Sequence, residues 1–301
     1  MGTVTRRVRV LLTALTAVLS TGAAPAGATF PGTNGKIAYW NVSGFVTQIW
    51  TIGHDGTHRT TITSIDRHNF APTWSADGSR IAFVSERDHR TPLVIMNADG
   101  TDLTTVLTAR AITQPSWSPD GDRIAFYGGL ERDAPWRLFV LDLDDGQVSA
   151  ICRQCSSPDW SPDGARIVVD HLGGRFGLMT MDPDGSERVG ITRRDSEVPD
   201  ANNASWSPDG TRIAFTAGES HDIYTVGADG SDLTRVTHTT DHWEASVVWS
   251  PDGTRFAYIR TADPYWDTRV DLWTINVDGS DAGNVTRTPK AFEWGPDWRA
   301  R

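Results

Sequence analysis

Five copies of one short hairpin leave this chain few ways to fold. They read Trp74-Ser75-Ala76-Asp77-Gly78, Trp117-Ser118-Pro119-Asp120-Gly121, Trp160-Ser161-Pro162-Asp163-Gly164, Trp206-Ser207-Pro208-Asp209-Gly210 and Trp249-Ser250-Pro251-Asp252-Gly253. Each copy runs through an arginine (Arg80, Arg123, Arg166, Arg212, Arg255) into an apolar strand such as Ile81-Ala82-Phe83 or Ile213-Ala214-Phe215. The tryptophans are spaced by 43, 43, 46 and 43 residues. A second Asp-Gly turn follows a further alternating strand, as at Leu138-Phe139-Val140-Leu141 before Asp145-Gly146 and Ile223-Tyr224-Thr225-Val226 before Asp229-Gly230. Asp-Gly between strands signals a tight hairpin, because both residues tolerate positive φ. Each unit therefore reads as a four-stranded antiparallel meander, and a propeller blade takes roughly 40 to 50 residues.

The ends of the sequence supply one more copy in two pieces. Asn34-Gly35-Lys36-Ile37-Ala38-Tyr39 matches the turn and second strand without a Trp-Ser strand before it, and Pro296-Asp297-Trp298 matches Pro158-Asp159-Trp160 without anything after it. The expected architecture is all-β: a six-bladed β-propeller of four-stranded antiparallel blades, closed by a C-terminal strand completing the N-terminal blade. Pairing the two ends hides strand edges that would otherwise stay open. The repeat resembles that of the TolB-like β-propeller family, a resemblance that covers nearly all of residues 29–301 and implies the six-bladed fold. The family's best-known member adds an N-terminal α/β domain, for which this sequence is expected to leave no room. The repeat serves binding proteins, peptidase gates and polysaccharide lyases alike, so it does not fix function.

Residues 1–28 read as a cleavable signal peptide, with Arg6, Arg7 and Arg9 as basic region, Val10 to Leu19 as apolar stretch and Ala26-Gly27-Ala28 as cleavage site. Residues 29–301 form the propeller. The general secretory route is expected over the twin-arginine one, and the product is secreted or held in the cell envelope. No later stretch is apolar enough to span a membrane. Acidic side chains exceed basic ones by ten, which sets the chain against phosphate-rich duplexes and excludes nucleic acid as a partner.

Copies within one chain act as an internal control: what recurs in every blade serves the blade, and only departures can serve something singular. The recurring Trp is expected between neighbouring blades, and the recurring Arg on a turn carboxylate or carbonyl. The Asp-Gly turns fall on one face and every irregular link on the other, which also gathers His89, His171, His221, His238, Trp136 and Trp266. Residues entering the first strands of blades five, six, one and two then ring the channel mouth as candidate ligands: Asp200 and Asn202; His242, Trp243 and Glu244; Glu293 and Trp294; His68 and Asn69. Such a ring of histidines and carboxylates would suit a polar ligand or a divalent metal, although no cofactor is required. Cys152 and Cys155 are expected as a disulfide, the default for an exported chain.

The expected function is that of a monomeric binding module. Its irregular face would hold an envelope or extracellular protein, or a cell-wall or environmental glycan. The alternative is an enzyme, a lyase-like protein acting on acidic polysaccharide through a His/Glu site at the channel mouth. No catalytic motif is present to name catalytic residues.

Overall fold

The repeated hairpin is a closed set of local hydrogen bonds, which is why its sequence is so restricted. In each copy the serine Oγ accepts from the arginine N–H at 2.9 Å and donates to the aspartate, as Ser161 does to Asp163 at 2.6 Å. The same aspartate accepts the N–H two residues on, from Ser79, Asp122, Ala165, Thr211 or Thr254. The Ser161 hydroxyl holds the Asp163 carboxyl below its ordinary value. The glycine closes the turn at φ of 65° to 80°, a region that favours a residue without a Cβ.

The computed structural model describes Arg6–Arg7 and residues 32–43, 46–64, 67–173, 177–193, 198, 200–218, 221–262, 270–288 and 292–300. The expected signal peptide lies outside these apart from Arg6–Arg7, which pair with Gln147–Cys152, and Trp266 lies outside as well. The described residues are all-β, in antiparallel meanders. Meander 2 comprises His68–Trp74, Arg80–Glu86, Thr91–Asn97 and Thr104–Ala109; meander 3, Ala111–Trp117, Arg123–Gly129, Arg137–Asp142 and Gln147–Cys152. Meander 4 holds Cys155–Trp160, Ile167–His171, Leu178–Met181 and Val189–Gly190; meander 5, Asn202–Trp206, Arg212–Ala217, Asp222–Gly227 and Thr234–Arg235. Meander 6 is Trp243–Trp249, Arg255–Thr261, Val270–Asn276 and Gly283–Asn284. Meander 1 begins with the C-terminal strand Phe292–Ala300, followed by Asn34–Ser43, Val46–Gly53 and Thr60–Thr61. Ile37 faces Trp298 and Ala38 faces Asp297 across the antiparallel pairing of the two chain ends, while a single parallel pair, Val270 with Phe292, joins meanders 6 and 1 into one sheet.

Apolar cores sit between successive meanders rather than within them. Trp74 packs with Ala38 and Ile49 of meander 1, Trp117 with Ala82 and Leu93 of meander 2, and Trp160 with Ala125 and Val140 of meander 3. Trp206 lies against Val168 and Leu178, and Trp298 against Ala257 and Leu272. These five tryptophans are buried, and truncating any one to alanine would cost ~3 to 5 kcal/mol. The sixth, Trp249, is only half-buried at the edge of the core containing Ala214 and Ile223.

The recurring arginine adopts two postures. Arg166, Arg212 and Arg255 reach along their own meanders to the carbonyls of Glu187, Asp232 and Asp281, as the sequence leads one to expect. Arg80 and Arg123 lie over the next meander's tryptophan, 4.9 Å from the Trp117 ring and 4.7 Å from that of Trp160, and Arg123 also pairs with its own turn carboxylate, Asp120, at 3.0 Å. That cation–π stacking covers the indole with a weakly hydrated plane. Cys152 and Cys155 are joined by a disulfide on the link from meander 3 to meander 4.

Candidate functional site

Every first strand carries a bulge three residues before its tryptophan, where Ala71, Gln114, Ser157, Asn203, Ser246 and Gly295 all take φ near 50°. Five of the six are not glycine, so the bulge is held against a local cost by the pairing around it. Toward the Asp-Gly turns, four first strands enclose a cavity of about 30 Å³ lined by Thr73, Ser116, Asp159 and Asp297 among others. Asp159 accepts the Trp206 N–H at 2.8 Å, and Asp297 accepts that of Trp74 at 2.5 Å. Each carboxylate thus ties its strand to the next meander. Asp159 keeps a little surface toward the cavity but has protein on all sides, and this enclosure pushes its carboxyl up to about 7; Asp297 is raised for the same reason.

On the side of the irregular links, the residues singled out from sequence separate into exposed and buried sets. His68 is exposed, its Nδ1 3.4 Å from Thr47 Oγ1. Asp200 is exposed, and Asn202 donates to its carbonyl at 2.6 Å. Asp200 also bears electrostatically on His221, whose imidazole stacks on Trp243 at 4.2 Å; burial lowers the His221 pKa and Asp200 opposes that shift. His242 Nδ1 sits 2.7 Å from Asp241. Asp200, His221 and Trp243 therefore meet at the junction of meanders 5 and 6. Trp294 joins a separate aromatic group, stacked on Trp40 at 5.9 Å, with Phe70 edge-on to Trp40.

Asn69, Glu244 and Glu293 point inward and are 4%, 1% and 0% exposed. Asn69 donates weakly to the carbonyls of Ser64 and Arg67. Glu244 accepts a short hydrogen bond from Thr237, and burial pushes its carboxyl up to about 7. Glu293 accepts from Thr286, Thr288, Asn41, Arg59 and the Leu272 N–H; burial raises its pKa too, against the pull of the Thr286 hydroxyl. These carboxylates brace the links between meanders. Their partners escaped the sequence reading although a repeat announces them: Asp222-Ile223 with Val236-Thr237-His238-Thr239, and Asp271-Leu272 with Val285-Thr286-Arg287-Thr288. In both copies the first threonine accepts the N–H of the residue after the aspartate, and the second donates to that aspartate. Among the described residues no three His, Cys, Asp or Glu side chains are grouped to hold a metal ion.

The family model for the TolB beta propeller domain matches residues 19–198 and 131–297. No curated protein sequence matches significantly. Among solved structures, TolB from Acinetobacter baumannii is 20% identical at a TM-score of 0.75, covering 89% of this chain and 68% of its own. A putative TolB from Agrobacterium tumefaciens is 18% identical at 0.67, covering 89% and 99%. An oligogalacturonate lyase in complex with manganese is 14% identical at 0.58, covering 84% and 74%. At such identities the structural likenesses speak for the fold alone. The family match spans most of the sequence and coincides with the Trp-Ser-x-Asp-Gly meanders, so the chain belongs to the TolB beta-propeller family.

Proposed function

We propose that this chain is an extracytoplasmic six-bladed propeller that holds a protein or glycan partner on its irregular loop side and performs no chemistry of its own. The six cores between successive meanders and the pairing of the two chain ends support the six-bladed, ring-closed reading. The basic, apolar and small-residue zones of residues 1–28 and the Cys152–Cys155 disulfide support export.

The observation that carries the binding reading is the cluster of Asp200, His221, Trp243 and His242 at the junction of meanders 5 and 6, an aromatic platform with polar groups at its rim. Binding residues concentrate on loops over a rigid scaffold, and aromatic anchors dominate interface energies. The lyase alternative, a His/Glu site at the mouth, would have to work from its histidines, because Glu244 and Glu293 brace the links. Capture from native culture fluid tests the binding reading. The wild-type chain is expected to retain a discrete protein or glycan, and the double variant Trp243→Ala with His242→Ala to lose it. Equal retention by the variant would move the binding surface elsewhere. Metal in the purified protein together with unsaturated products from uronate polymers would replace the reading by the lyase.

A further inference from the structure

The link side carries a second feature, well outside the first-strand residues. A cleft of about 730 Å³ opens between meanders 2 and 3, lined by Asp88, His89, Arg90, Arg110, Glu131 and Arg132 with Thr108 and Leu130. Its walls are tied together. Arg87 and Arg90 exchange backbone hydrogen bonds at 2.9 Å around a turn in which Asp88 and His89 both take positive φ, 50° and 60°, as a tight two-residue hairpin requires. Arg110 then bridges the walls: its N–H donates to the Leu130 carbonyl at 3.3 Å, and its Nη1 to the His89 carbonyl at 2.9 Å. Arg110 is thus part of the frame as well as of the lining.

The charge of this cleft departs from the rest of the molecule. The chain carries a formal net charge of −10, yet three exposed arginines, Arg90, Arg110 and Arg132, line one cleft. Asp88 is engaged by Arg87 outside the lining, at 3.3 Å, which leaves Glu131 as the other acidic side chain there. Among the described residues neither the Arg90 nor the Arg132 guanidinium has a hydrogen-bond or ion-pair partner. None of the three belongs to the arginine position that the repeat copies in every meander, so blade architecture does not account for them. Cations gathered within about one screening length repel, and a bound anion relieves that repulsion.

We propose that this cleft is a phosphate-binding site, in which Arg90, Arg110 and Arg132 hold a phosphate group of a phosphorylated small molecule or of a phosphodiester polymer. Three forks from three separate segments exceed what one carboxylate with two oxygens can occupy. A phosphate offers more oxygens and up to two charges, and arginine matches it bidentately. The site goes beyond the partner-binding surface proposed above, and neither depends on the other.

Isothermal titration of the full chain with inorganic phosphate, glycerol 3-phosphate and poly(glycerol phosphate) tests it, with galacturonate at equal ionic strength as the carboxylate probe. Arg90→Ala with Arg132→Ala removes two side chains that brace nothing, so the variant is expected to fold, which its unfolding midpoint checks. It should weaken phosphate binding by about tenfold or more, the equivalent of one lost charged hydrogen bond. Tighter binding of the polymer assigns the phosphate to a phosphodiester chain, and tighter binding of the monoester to a small molecule. Trp243→Ala with His242→Ala should leave these titrations unchanged whether or not it abolishes partner capture. The proposal is overturned if no phosphate probe binds, if the arginine double variant binds them as the wild type does, or if galacturonate binds more tightly than all three.

Discussion

The junction of meanders 6 and 1 and the junction of meanders 5 and 6 are built from matching residues, yet they treat a buried carboxylate in different ways. Glu293 receives five donors, one of them Arg59 in an ion pair at 3.2 Å. Glu244 occupies the equivalent place, but its Oε1 is buried without a hydrogen-bond partner. Arg260 lies 4.9 Å from the Trp273 ring much as Arg59 lies 4.7 Å from that of Trp50, and its Nε is likewise buried and unbonded. What separates the two junctions is that Arg59 hydrogen-bonds its carboxylate, whereas Arg260 bears on Glu244 electrostatically. In the first both carboxylate oxygens are hydrogen-bonded, although the Arg59 Nε is buried without a partner. The second holds a carboxyl that takes up a proton near neutrality, and polar groups left unpaired in a low dielectric are costly.

Removing the better-satisfied acid should do the most damage. Glu293→Ala strands Arg59, which is 27% exposed, together with the donors Asn41 and Thr288, and a stability loss of ~3 kcal/mol is expected in urea unfolding, the low end for breaking a buried pair. A loss below ~1 kcal/mol would erase the distinction between the junctions.

The next effect is a pH slope. Folding raises the Glu244 carboxyl from its ordinary 4.5 to about 7, so the native state binds more protons than the unfolded one between those values. Its contribution is complete below pH 4.5 and fades as pH rises through 7, by on the order of 3 kcal/mol. Asp159, Asp297 and Glu293 add to this slope with the same sign and His221, lowered by burial, opposes it, while the turn aspartates with lowered values act only near and below their ordinary 3.8. Unfolding midpoints of the wild type should therefore fall from pH 5 to pH 8. Glu244→Gln should flatten that fall while keeping an acceptor for Thr237. An unchanged slope in the variant would assign the dependence to the other buried carboxyls, Asp159, Asp297 and Glu293.

The smallest contrast lies between threonines. Thr237→Val takes from Glu244 its side-chain donor and leaves it the Ile223 N–H, whereas after Thr286→Val Glu293 keeps Thr288, Asn41, Arg59 and the Leu272 N–H. The first should cost more than the second by ~1 kcal/mol, read from paired denaturation curves.

The fold was legible in the sequence because each Trp-Ser-x-Asp-Gly copy is a self-contained turn whose hydrogen bonds span five residues or fewer. The pairing of Pro296-Asp297-Trp298 with Asn34–Ser43 followed from the same repeat. The site was legible only by side. Strand alternation placed Asp200, His242 and Trp243 among the irregular links, but it could not separate His242 at the rim from Glu244 two positions on, whose partner Thr237 comes from the preceding link. Identical arginines were equally opaque. Arg166 has Asp182 at 2.7 Å to turn to within its own meander, while Arg80 turns to the neighbouring indole, and that choice depends on packing between meanders.

Five meanders join strands that follow one another along the chain, but meander 1 unites side chains as remote as Asn41 and Glu293, 252 residues apart. The others can zip up over short loops as the polypeptide emerges, whereas this seam waits for the last strand to be delivered and carries the largest loop-closure entropy in the molecule. Until it forms, two unpaired strand edges stay available to proteases and to other nascent chains. The seam therefore sets the interval during which a newly made copy is vulnerable.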